Sequence, residues 1–68
     1  MAIRYGDVVE VREYELNHGI IRDKWTPALV VLVSEDDRIG VEFLMGERKG
    51  CYLTLSTHER NRTWRPLR

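Results

Sequence analysis

Polar and apolar residues alternate with period two along most of this chain, and no segment repeats with the 3.6 period of a helix. The first alternation predicts a strand over Asp7–Glu13, with Val9 and Val11 on one face and Glu10 and Arg12 on the other. A long connection is then expected from Tyr14 to Thr26, with a turn at Asn17-His18-Gly19. Pro27 opens the run Ala28–Val33. That run is apolar on both faces and reads as a central strand buried on both, with Pro27 at the strand start, where no donor is needed.

After a polar turn at Ser34–Asp37, Arg38–Met45 alternates again, with Ile39, Val41, Phe43 and Met45 inward. Gly46–Gly50 reads as a hairpin turn. Cys51–Leu55 follows, with Cys51, Leu53 and Leu55 inward and Tyr52 and Thr54 outward. Together they predict a hairpin pairing Met45 with Cys51, Phe43 with Leu53 and Val41 with Leu55. Ser56–Asn61 has the capping spacing of a single helical turn, with Ser56 and Glu59 three residues apart. Arg62–Leu67 is expected to close the fold as a short strand anchored by Trp64.

The expected fold is therefore all-β: five strands with one helical turn before the last, in a closed barrel or a strongly bent sheet that hides its edges. The order and loop lengths resemble the SH3-like small barrel over nearly the whole chain. Within it, Gly6-Asp7-Val8-Val9, Trp25-Thr26-Pro27-Ala28 and Val41-Glu42-Phe43-Leu44-Met45-Gly46 resemble the Tudor, agenet and PWWP group. In the PWWP branch the second strand opens Pro-Trp-Trp-Pro-Ala, and Lys24-Trp25-Thr26-Pro27-Ala28 keeps three of these five residue types. Thr26 stands where that family has the second Trp, which helps wall its methyl-lysine cage.

Composition narrows the function classes. The chain has 68 residues, room for one domain, taken as residues 1–68 with a basic segment at 58–68. A single Cys excludes an internal disulfide framework and a Cys-based zinc finger. His18, Cys51 and His58 lack metal-ligand spacing, so neither a metal nor another cofactor is expected. No segment approaches the roughly 18 apolar residues of a membrane span. MAIRYGDVVE has no apolar signal core, which predicts a complete, soluble, cytoplasmic protein without a membrane partner.

There is no nucleophile elbow or phosphate loop, and Cys51 is expected to be buried. The chain therefore reads as non-catalytic. Glu35-Asp36-Asp37 reads as a solvated turn, lacking the Gly and terminal Glu of a calcium loop. Glu10, Glu13 and Glu15 read either as charge protecting a strand edge or as an acidic rim, such as peptide-binding SH3 domains use for Arg or Lys of a ligand.

Aromatic residues carry the binding signal. Tyr14, Trp25, Tyr52 and Trp64 are candidates for stacking on proline, bases or cations, with core packing the other role open to Trp25 and Trp64. Charge adds a second signal. Eleven basic and eleven acidic residues cancel overall, yet residues 58–68 carry four Arg against one acid and residues 1–57 carry seven bases against ten acids. Arg60, Arg62 and Arg65 suit phosphate or carboxylate contact.

The leading expectation is a binding module for a protein partner or for self-association, built on surface aromatics. A nucleic-acid-binding module using the arginine segment is the alternative. A third class is a small oligomeric enzyme with an inter-subunit active site. One small SH3-like dihydrofolate reductase is built this way. This chain shares its Gly-Asp-x-Val opening but has Cys51-Tyr52-Leu53-Thr54 where that family has Val-Gln-Ile-Tyr.

Overall fold

In the computed structural model, which describes residues 3–67, five strands form one antiparallel sheet. They are β1 (Val8–Asn17), β2 (Ile20–Val33), β3 (Arg38–Phe43), β4 (Tyr52–Ser56) and β5 (Trp64–Pro66), in the spatial order β4-β3-β2-β1-β5. A single 3-10 turn, Thr57–Glu59, joins β4 to β5, and the Ser56 hydroxyl caps it by accepting the His58 amide. The all-β class, the strand count and the turn before the last strand are as expected. The sheet is open, with β4 and β5 as its edges.

Every strand contributes to one core. Val9 and Val11 meet Ala28, Val30, Ile39, Val41, Phe43, Leu55 and Trp64, all buried. One sheet can bury side chains from both of its edge strands only by curling around them. Trp64 fastens that curl: its indole N–H donates to the Ser56 carbonyl at the end of β4, at 2.7 Å.

The largest departure from the sequence reading lies between Tyr14 and Thr26. There is no long loop there. β1 runs on to Asn17 and pairs with β2 from Ile20 onward, through Glu13–Lys24, Tyr14–Asp23, Glu15–Arg22 and Leu16–Ile21. Only His18 and Gly19 form the turn, at φ 56° and 78°. Two successive left-handed residues make the turn that matches strand twist, and Gly19 takes its position without steric cost. Pro27 consequently lies inside β2. It is tolerated because its carbonyl accepts from Leu44 N, so its missing N–H faces the β3 side just where β3 ends at Phe43.

The β3–β4 hairpin keeps the expected faces but not the expected partners. Val41 pairs with Leu53 and Ile39 with Leu55, a shift of two residues. An even shift leaves every side chain on its side of the sheet. Its cause is at the turn: Phe43 N donates to Cys51 O, while Phe43 O accepts from Gly50 N, so two residues oppose one. Leu44 and Met45 are thereby drawn into the loop. Met45 and Cys51, expected inward, are both exposed. The core ends at Phe43, whose ring is covered by the Arg48 guanidinium at 4.7 Å.

β2 also bulges between Val30 and Leu32, which sets Leu32 beside Gly40 and leaves Leu32 and Val33, expected buried, exposed. A Cβ on Gly40 would lie 3.2 Å from Leu32 Cβ, a close contact that Leu32 would have to yield to by a few tenths of an ångström.

Candidate interaction surface on the β1–β2 arm

Beyond Arg12 and Trp25, β1 and β2 leave the body as a two-stranded arm. At about 3.3 Å per residue it reaches roughly 15 Å past the core. The molecule is correspondingly long, 41 × 22 × 21 Å. Strand alternation gives the arm two unlike faces. One carries Glu13, Glu15, Arg22 and Lys24, paired across the strands acid to base. The other, continuous with the outer face of the sheet, carries Tyr14, Leu16 and Ile21, with Arg12, Asp23 and Trp25 at its base. Tyr14, Leu16 and Ile21 are each about 70% exposed: 69%, 73% and 71%.

At the base of the arm, cations and rings stack in sequence. Arg12 stands 5.6 Å from the Tyr14 ring centroid and 5.9 Å from that of Trp25. Arg65, from β5, lies over Trp25 at 3.9 Å. Each guanidinium also holds a carboxylate: Arg12 binds Asp23 at 2.5 Å and Arg65 binds Glu10 at 2.8 Å. Its hydrogen bond to the Asp23 carboxylate makes the Arg12 guanidinium hold its proton more tightly than usual.

On the charged side, Glu13 accepts from the Thr26 hydroxyl at 2.5 Å and from Arg48 at 3.4 Å. A mixed cleft of about 610 Å³ runs along the arm, lined by Glu13, Glu15, Lys24, Glu47 and Arg48 together with Arg12, Tyr14 and Leu16. Glu10 and Glu13 thus face cations of this chain itself, and Glu10 lies where β1 is flanked by β2 and β5, not at a sheet edge.

The sequence-derived candidates divide. Tyr14 and Trp25 come together through Arg12, and Arg65 joins them. Tyr52 is exposed on the same outer face, but it pairs with Glu42 and lies in the row of Leu29, on the order of 15 Å from Trp25 by strand spacing. Trp64 is 1% exposed and packs in the core, away from the outer face that carries Tyr14, Trp25 and Tyr52. β5 pairs Trp64 with Val11, whose side chain points inward.

Arg60 and Arg62 precede β5 and are not part of a strand. Arg62 approaches Glu59 at 4.0 Å, and its carbonyl accepts from Arg12 at 3.4 Å. Arg60 is half-buried and lines a smaller cleft of about 280 Å³ with Ile3, Asp37, Ile39 and Trp64.

The sequence reading missed Arg12, Leu16 and Ile21. Their signal was present: Arg12, Tyr14 and Leu16 alternate with Glu13 and Glu15, and Ile21 falls opposite Leu16 once His18-Gly19 is taken as a two-residue turn.

His18, Cys51 and His58 sit on three separate turns. Among the described residues, no group of three His, Cys, Asp or Glu is arranged to hold a metal ion. Among the same residues, no helix is long and apolar enough to cross a membrane. Comparison with protein-family models, with curated proteins and with solved structures returns no match. The described residues define an all-β domain with an amphipathic hairpin arm.

Proposed function

We propose that this chain is a small non-catalytic protein-interaction module, and that its contact surface is the apolar face of the β1–β2 arm with the aromatic stack at its base. The observation that carries this reading is the exposure of Tyr14, Leu16 and Ile21 side by side on a projecting arm. Unpartnered apolar patches on small domains mark contact sites. The strand order and the 3-10 turn before β5 support an SH3-like reading of the scaffold. The Tudor-like reading has less support, since Thr26 is buried and gives no wall to a cage.

The arginine segment favours the protein reading over the nucleic-acid one. Arg65 is held against Glu10 at 2.8 Å and Arg62 lies 4.0 Å from Glu59, so part of the segment's charge is offset within the chain. Tests on the purified chain separate the two. Tyr14→Ala and Trp25→Ala are expected to weaken capture of a protein partner far more than they lower the melting temperature, while Arg62→Ala leaves capture unchanged. Binding to duplex DNA that persists at about 100 mM salt and falls steeply with more salt would favour the nucleic-acid reading instead.

A further inference from the structure

We infer that the partner of the arm is a second copy of this chain, with the two arms packed apolar face to apolar face. This rests on the reading of the arm as a protein-contact surface and names its occupant. Charge is the first reason. Among the described residues, the only ionised groups on that face of the arm are Arg12 and Asp23, and they pair with each other. The face is neutral by itself, so nothing in it selects an acidic or basic partner, and a two-fold axis brings no unpaired like charges together.

The strand edges give the second reason, and they also select the mode of packing. The free edge of β1 carries Glu13 and Glu15, and that of β2 carries Arg22 and Lys24. Joining either edge to the same edge of another copy would set like charges in opposition. Two-fold pairing of like edges is thus disfavoured, and the apolar face remains as the surface that a two-fold axis can join to itself.

Size is the third reason. Tyr14, Leu16 and Ile21 at about 70% exposure form a patch of a few hundred Å². Doubled across a two-fold axis, it falls below about 1,200 Å² in total, the range of weak, reversible contacts. A two-stranded ribbon projecting into water is also marginal alone and gains from a second layer.

Sedimentation velocity of the full chain from about 5 µM to about 500 µM tests this. The expected result is a mean mass that rises with concentration towards that of a dimer. Leu16→Asp and Ile21→Asp should each weaken association at least about tenfold, and Glu15→Gln, on the opposite face, should leave it unchanged. If an Asp variant fails to fold, concentration-dependent amide shifts of the wild type serve instead, and they should centre on Tyr14, Leu16 and Ile21. A chain that stays monomeric throughout, but whose arm amides shift on adding a different protein, overturns the self-contact and keeps the interaction reading. A dimer whose shifts fall away from the arm overturns both.

Discussion

The guanidinium of Arg65 lies 3.9 Å from the ring centroid of Trp25 while its Nε donates to Glu10 at 2.8 Å. One side chain from the last strand therefore ties β1 to β2 across the outer face of the sheet. β5 is only three residues long, Trp64–Pro66, so this clasp secures the chain end from outside as Trp64 secures it from inside.

The clasp can be measured by a double-mutant cycle. Trp25→Ala and Arg65→Ala, singly and together, are expected to show a coupling of about 0.5–1 kcal/mol in urea unfolding. Arg65→Lys should recover only part of it, because an ammonium cannot both cover the indole and bond Glu10 in one plane. Additive single effects would show that the contact contributes nothing.

Trp64 should behave as a core residue. Trp64→Ala removes a fully buried side chain at a cost of about 3–5 kcal/mol. A chain of this length has only about 3–10 kcal/mol in total, so the variant should be largely unfolded by circular dichroism at room temperature. Trp64→Phe keeps most of the volume but deprives the Ser56 carbonyl of its indole donor. It should fold, with a loss of about 1–3 kcal/mol.

The arm should respond to its turn without disturbing the body. His18→Asn places the residue that best tolerates a left-handed backbone before Gly19, and should slow amide exchange from Glu13 to Lys24. Gly19→Ala, at φ 78°, should speed exchange over the same residues by about fivefold to tenfold. Exchange at Val9, Val41 and Phe43 should stay within about twofold in both variants, since the arm lies outside their core.

Asp36 in the β2–β3 turn is held below the ordinary aspartate value of about 3.9, chiefly by its hydrogen bond from the Ser34 hydroxyl and secondarily by Arg38. A depressed carboxylate contributes stability above its unfolded value, and that contribution is lost as pH falls through its folded value. Ser34→Ala should raise the Asp36 midpoint in an NMR titration. The variant should also lose less stability than wild type on going from neutral pH to about pH 2. An unmoved midpoint would assign the shift to Arg38 instead.

Much of the fold was legible because strand faces follow from period two. Val9, Val11, Ile39, Val41, Phe43 and Leu55 are buried as their alternation required. Pairing was less legible. The partners of Leu53 and Leu55 depended on a bulge at Gly50, and two residues' difference leaves the face pattern identical. The arm was misread because a thirteen-residue stretch of mixed character resembles a loop when its turn is taken as longer than two residues. Tyr14 and Trp25 were found by residue type alone. The cation between them was not, because Arg12 becomes their neighbour only through cross-strand pairing.

By itself the sequence determined which side of β1, β3 and β4 faces inward within the body, where the turns at His18-Gly19 and Ser34–Asp37 fall, and that the strands end in a capped helical turn and a Trp-bearing segment. These are local properties, set by alternation, turn chemistry and capping within a few residues. The tertiary structure alone decided that Trp64 belongs to the core, that Met45 and Cys51 do not, and that Arg65 of the basic segment is held against Glu10 of β1. Each of these depends on where the sheet curls and where its core ends, and so on contacts between residues far apart in the chain.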